Sequence, residues 1–117
     1  MSSSSSTPID HVVAFTFRDD VTEEEVQKFV DGINSLIQCK GVLSVTAGKV
    51  LVEDYFESDR SQGVSYAIRV RLEDKDALKS YTFDEHHIKI GKECVVPILS
   101  PSKPPIVFDW EAPEVTK

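Results

Sequence analysis

Cysteine is scarce in this sequence: Cys39 and Cys94 are the two cysteines among 117 residues. They lie far apart and lack the spacing of metal ligands, so neither a disulfide framework nor a zinc module is indicated. Two mostly buried free thiols in a reducing compartment are the simpler interpretation. We therefore expect a cytoplasmic protein.

Long apolar runs and an excess of basic residues are also missing. No apolar stretch approaches the ~20 residues that a membrane-spanning helix requires. Thirteen Lys and Arg stand against twenty Asp and Glu, which gives a formal charge of −7. Because nucleic acid and anionic membrane surfaces favour clustered Lys and Arg, we expect neither as a partner.

Signatures of cofactor chemistry are absent as well. The sequence has no glycine loop of the kind that binds phosphate, no nucleophile elbow and no metal-ligand spacing. We therefore expect neither a metal nor another cofactor.

The length and composition are those of one folded domain with short tails. A chain of 117 residues, 40% hydrophobic and 28% charged, suits one soluble globular domain with a packed core. Residues 1–8 are serine-rich and lack the basic and apolar regions of a secretory signal, so we expect a disordered tail there. The domain is expected over residues 9–111, and residues 112–117 form a polar C-terminal tail.

Four segments have the composition of β-strands, being rich in β-branched and aromatic residues. They span residues 10–17, 42–52, 64–72 and 106–110. Gly48 in the second strand indicates a bulge or a point of close approach. The polar residues 53–62 predict an exposed hairpin loop between the second and third strands.

The first helical region has a complete start signal. Thr22 can cap the helix while Glu25 reaches back to the amide of the cap. Apolar residues then recur at the three-and-four spacing of one buried helical face. Gly41 can end the region in the left-handed conformation.

The second helical region opens at Asp74 or Asp76, is capped again at Asp84 and ends at Pro97. The resulting order, βαββαβ, predicts an α+β split βαβ fold: a four-stranded antiparallel sheet with both helices on one face. Several strands are apolar on both faces, and a bare sheet would expose a larger patch than a monomer usually tolerates. We therefore predict a homodimer in which two sheets pack face to face.

Three segments resemble those of a known protein family. They are His11 to Thr22, Gly48-Lys49 and Tyr81 to Ile88. With a His at the start of the first strand and a Tyr six residues before a second His, the chain resembles the stress-responsive A/B barrel family, also called dimeric α/β barrel proteins. This family includes plant stress proteins and the polyketide cyclase olivetolic acid cyclase, and the likeness covers roughly residues 9–111. It implies a ferredoxin-like subunit, a homodimer made by sheet-to-sheet packing, and a cavity between sheet and helices.

The resemblance also implies roles for two side chains. In the cyclase, a His general base and a Tyr that polarises a carbonyl perform an aldol condensation without a cofactor, and Tyr81 and His87 fall on those positions. His87 would lie near the N-terminal end of its helix, where the dipole favours a neutral imidazole. The alternative is that His87 packs at the helix start and Tyr81 belongs to the core.

Two further side chains are candidate ligand contacts. His11 shares a strand face with Val13 and Phe15, and we expect it to line the cavity together with Tyr66; a surface position at the strand end is its alternative. His86 must point about 100° away from His87 around the helix, so the pair is not expected to hold a metal.

We therefore expect a homodimeric stress-responsive A/B barrel protein that binds a small apolar or aromatic molecule in a pocket lined by His11, Tyr66, Tyr81 and His87. Three alternatives stay open: a cofactor-independent polyketide cyclase-like lyase, a structural stress-protective oligomer with a filled interior, and a ferredoxin-like monooxygenase or haem-degrading relative, for which no diagnostic residues are found. A cavity of ~300 Å³ or more beside His87 would favour a ligand or catalysis, and a filled interior would favour the structural role.

Overall fold

The computed structural model describes residues 7–117, which contain four strands, three helices and short 3₁₀ and π segments. Most of the serine run that we expected to be a disordered tail, residues 1–6, lies outside the described residues. The regular elements are β1 Ile9–Phe15, α1 Glu23–Ser35, β2 Val42–Lys49, β3 Tyr66–Leu72, α2 Lys75–Phe83, α3 Glu85–Ile90 and β4 Ile106–Glu111. No helix in this part of the chain is long and apolar enough to span a membrane.

The strands form one antiparallel sheet in the order β2-β3-β1-β4. The predicted α+β fold with a four-stranded antiparallel sheet is therefore confirmed. The register places His11 between Val70 of β3 and Asp109 of β4, and it places Phe15 beside Tyr66. His11 and Phe15 lie four residues apart on the same, helix-facing side of β1.

The second strand differs from its prediction in two respects. It ends at Lys49, and residues 50–65 form an irregular connection to β3. Gly48 pairs regularly with Ala67, whereas the register shift lies between Val42 and Ser44. The irregularity is thus at the entry to the strand, next to the left-handed turn that Gly41 makes with a φ of 84°.

The helix caps expected from the sequence are present. The side chain of Thr22 accepts a hydrogen bond from the amide of Glu25, and the Glu25 carboxylate accepts one from the amide of Thr22. Asp74 caps α2, and Asp84 ends α2 and caps α3. The chain continues from α3 through a π segment, Gly91–Val95, and Pro97 lies within the last 3₁₀ turn rather than after the helical region.

The hydrophobic core lies between the helices and one face of the sheet. Alternate residues of β1 and β3 point into it and meet the buried face of α1 and the buried side chains of the second helical region, from Ala77 to Ile98. The largest fully buried side chains are Phe29, Ile33, Leu36, Val70, Leu72 and Tyr81. This core fixes the sheet face on which the helices lie and hence the position of the site below.

The opposite sheet face divides into a charged half and an apolar half. Asp10 is buried there, and its carboxylate accepts two hydrogen bonds from Arg71 at 2.8 and 2.9 Å. The apolar half belongs to β4, where about half of each side chain is exposed; it consists of Ile106, Phe108 and Trp110. The predicted uncovered apolar surface is therefore concentrated along the edge strand, because β3 contributes arginines to this face.

Candidate functional site

A cavity of about 450 Å³ lies between the helix-facing side of the sheet and the second helical region. Its walls are mainly aliphatic and aromatic, and its polar groups are few. The lining includes His11, Val13, Ile68, Tyr81, His87 and Val107. The volume exceeds the ~300 Å³ that a ligand pocket requires, and it lies beside His87 as the ligand hypothesis needs.

His11 is held at one side of this cavity by a carboxylate from the neighbouring strand. Because β1 and β4 pair with His11 opposite Asp109, both side chains point to the helix side of the sheet. The Nδ1 atom of His11 lies 2.6 Å from Oδ1 of Asp109. A carboxylate that accepts from Nδ1–H fixes the ring and leaves Nε2 for another partner.

The ring of Tyr81 lies between the two cavity histidines. It meets the ring of His11 edge to face with centroids 5.6 Å apart, and it stacks on the ring of His87 with centroids 4.2 Å apart. Tyr81 is almost fully buried, and burial raises the pKa of its phenol above the usual range. The hydroxyl therefore stays protonated and can donate a hydrogen bond.

The imidazole of His87 is kept in its neutral form. Burial lowers its pKa below the ordinary value, and the nearby His11 acts in the same direction. Its Nδ1 atom lies 3.4 Å from the carbonyl oxygen of Thr82, an arrangement in which Nδ1–H donates and Nε2 keeps its lone pair. The chief cause of the neutral form is desolvation rather than the helix dipole that the sequence suggested.

Asp84 positions His87 by ending one helix and starting the next. Its Oδ1 atom accepts hydrogen bonds from the amides of His86 at 2.8 Å and His87 at 3.3 Å. Burial opposes the charged form of Asp84, but these amides outweigh it and lower the pKa. The thiol of Cys39 lies 3.5 Å from the same oxygen, and burial raises its pKa to about 11, so Cys39 is a neutral donor and not a nucleophile.

His86 lies outside the cavity. Its Nε2 atom is 2.8 Å from the hydroxyl of Ser35, which itself donates to the carbonyl of Gly32. The two adjacent histidines therefore serve different parts of the molecule. Among residues 7–117 no group of three or more His, Cys, Asp or Glu side chains could hold a metal ion.

Tyr66 does not share the cavity of the other three candidates, and this corrects the expectation that it lines one pocket with His11. It lies at the far end of β3, where it stacks on Phe17 at 5.4 Å and meets Phe29 edge to face. It lines a separate, open cavity of about 910 Å³ between α1 and residues 50–65. The register places Tyr66 opposite Phe15 and Val70 opposite His11, so Tyr66 lies four residues along β3 from the level of His11.

Asp109 is the site residue that the sequence reasoning missed. Composition predicts the short strand around it but not its partner, because strand order and register bring it to a residue 98 positions away along the chain. One signal could have found it. Asp109 lies two residues after Val107 and so shares its strand face, which is the side of the sheet that also carries His11.

A four-stranded antiparallel sheet with helices on one face defines a ferredoxin-like α+β domain, and here it carries an apolar cavity with two imidazoles and a phenol at one side. The stress responsive A/B barrel domain family matches residues 9–112. The chain belongs to this family, and the resemblance drawn from its strand and helix motifs is confirmed.

Three relatives illustrate the range of similar proteins. A stress-response A/B barrel domain-containing protein of Arabidopsis thaliana is 26% identical over 96% of this chain, which spans 41% of that protein. A dimeric ferredoxin-like protein of unknown function from Thermobifida fusca has a TM-score of 0.73 at 16% identity, covering 92% of this chain and 93% of the other. Hydroxynitrile lyase from Passiflora edulis has a TM-score of 0.77 at 12% identity, with coverages of 95% and 98%. These structures establish the ferredoxin-like fold.

Proposed function

We propose that this protein is a homodimer in which each subunit binds a small apolar or aromatic molecule in the cavity beside His87. The observation that carries the proposal is the cavity of about 450 Å³ itself, which is walled by apolar side chains. Such a volume suits a ligand of drug-like size or smaller. It also argues against a purely structural role, for which the interior would be filled.

The polar groups of the cavity favour a ligand with one hydrogen-bonding end. The ring of Tyr81 contacts the rings of both His11 and His87, while the remaining wall is largely aliphatic. A phenol or enol oxygen placed near Nε2 of His87 would meet a neutral acceptor, and Tyr81 would donate to it. An aromatic or alkyl body would then pack against the apolar wall.

A thermal-shift screen of small aromatic and polyketide-like compounds tests this proposal, because a ligand that binds only the native state raises its melting temperature. We expect a stabilising compound whose shift is lost in His87→Ala and reduced in Tyr81→Phe. His86→Ala is the matched control, since His86 bonds Ser35 outside the cavity. A ligand shift that survives His87→Ala unchanged would place the binding site elsewhere.

The dimer is supported by the exposed apolar strip on the far face of the sheet. Ile106, Phe108 and Trp110 of β4 are each about half exposed, and the rings of Phe108 and Trp110 stack at 6.0 Å. A second copy that offers the same strip would remove both from water. Structurally similar ferredoxin-like proteins from Thermobifida fusca and Bacteroides fragilis are described as dimeric.

A second function, cofactor-independent proton transfer, is favoured by the 2.6 Å contact between His11 and Asp109 together with the neutral His87. A polyketide-like substrate would lose a proton to Nε2 of His87 while Tyr81 stabilises the enolate oxygen, as in a cyclase-like aldol condensation. Turnover of such substrates should be abolished by His87→Ala and Tyr81→Phe with the dimer intact. Equal rates in wild type and both variants would exclude this chemistry.

A further inference from the structure

Gly91 lies in a helical segment at a position where the local structure does not require glycine. Its backbone is ordinary right-handed helix, with φ −57° and ψ −47°, which any residue adopts. A Cβ atom added there would meet no atom within 4 Å. Since glycine is among the poorest helix formers, neither backbone conformation nor close packing accounts for it.

Gly32 on α1 is a contrasting case, because close packing requires glycine there. A Cβ atom at Gly32 would lie 2.8 Å from the sulfur of Cys94, which belongs to the same π segment as Gly91. Because Gly32 has no side chain, Cys94 packs directly against α1 and brings the π segment close to that helix. Gly91 lines the cavity together with His87, which lies four residues earlier, and a side chain at position 91 would enter open space.

We propose that Gly91 determines the size of ligand that the cavity accepts, by leaving open the volume that any side chain would fill. The inference rests on the proposed ligand-binding function. The neighbouring wall residues Ile90 and Val95 are aliphatic, so the space kept open is apolar. It accommodates part of the hydrophobic body of the ligand rather than its hydrogen-bonding end.

The test uses 4-n-alkylphenols of increasing chain length as probes and measures their affinity by calorimetry for the wild type, Gly91→Ala and Gly91→Val. We expect the longest phenol that the wild type binds to lose affinity by about tenfold or more in Gly91→Val, because one methylene in an apolar pocket changes affinity on that scale. Short phenols should keep their affinity within about twofold. Gly91→Ala should show the same trend with a smaller loss.

Gly48→Ala is the matched control. A Cβ atom at Gly48 also meets nothing within 4 Å, but this residue lies on β2, away from the wall of the cavity. The variant should keep the wild-type dependence on chain length. Without ligand, Gly91→Ala should melt a few degrees above the wild type, since alanine is the better helix former and has room.

The outcomes separate the two proposals. If the wild type binds phenols and both Gly91 variants keep its dependence on chain length, the size role of Gly91 is wrong and the ligand cavity stands. A lower melting temperature of Gly91→Ala without ligand likewise overturns the role, because it reveals a structural need for glycine. If no phenol binds the wild type, the proposed ligand class fails and the role of Gly91 fails with it.

Discussion

Single side chains decide the electrostatics of the cavity. His87 is kept neutral by burial, and Tyr81 is kept protonated by the same cause. His11 is instead oriented by the carboxylate of Asp109 on the adjacent strand. The site therefore combines a desolvated imidazole with an oriented one, and the two make separate predictions.

His87 should make the protein less stable in mild acid. Its folded pKa lies below the ordinary value of 6.5, so the unfolded chain binds more protons as the pH falls through that value, and protonation favours unfolding. The stability lost in this way is regained when the pH rises above 6.5, where neither state binds the proton. Melting temperature against pH should consequently fall less steeply in His87→Gln than in the wild type between about pH 7 and pH 5.

Glu25 is the control for this pH range. Its hydrogen bonds from Arg18, followed by those from Thr22, lower its pKa from 4.5 to about 2, so the stability it contributes is lost only as the pH falls below 4.5. Glu25→Gln should therefore change the acid end of the curve and leave the region above about pH 5 unaltered. Identical slopes for wild type and His87→Gln in that region would mean that His87 is solvated.

Asp109 should determine which nitrogen of His11 carries the proton. With the carboxylate 2.6 Å away, the proton resides on Nδ1. The ¹⁵N chemical shifts of His11 should report protonated Nδ1 in the wild type and a mixture of tautomers in Asp109→Ala. The same nitrogen shifts in both proteins would show that Asp109 does not orient the ring.

At the scale of the elements, two aspartates perform the same capping task with different consequences. Asp74 accepts a hydrogen bond from the amide of Ala77 at 2.8 Å and starts α2. Asp84 starts α3 and accepts a hydrogen bond from the amide of His87. Either change to alanine should cost about 1 kcal/mol of stability, as is usual for a lost N-cap. Chemical denaturation measures this cost.

The two caps should differ in ligand binding. Asp84→Ala frees the first turn of α3, so His87 loses its position and the ligand-induced thermal shift should decrease. Asp74→Ala leaves α3 capped and should keep that shift. Equal effects of the two variants on binding would mean that the fold as a whole, and not the start of α3, positions His87.

The whole molecule presents its apolar strip on one face and its cavity on the other, although both use the same strand. Phe108 points to the far face and Val107 to the helix side, and each is about half exposed. Phe108→Glu should convert the proposed dimer into a monomer at micromolar concentration, because a charge buried in an apolar interface is strongly unfavourable. Sedimentation equilibrium measures the association.

Val107→Glu is the control on the same strand. It changes the cavity wall and should weaken binding of apolar ligands while the dimer persists. A wild type that sediments as a monomer at micromolar concentration would remove the dimer proposal. A Phe108→Glu variant that stays dimeric would instead move the interface to another surface.

The sequence by itself determined the order of elements and where the helices start. The capping box at Thr22, the caps at Asp74 and Asp84 and the left-handed turn at Gly41 depend on neighbours within a few residues, so a short stretch of chain specifies them. Two of the candidate site residues, Tyr81 and His87, came from a single local motif, and the structure stacks their rings.

Only the tertiary structure decided which distant side chains meet. It paired His11 with Asp109, moved Tyr66 to another cavity and left space beside Gly91. Each of these results depends on strand order, register and helix height, which are fixed by packing over the whole core rather than by local periodicity. A one-residue change in the pairing of β1 with β4 would turn Asp109 away from His11, and nothing within either strand alone forbids that change.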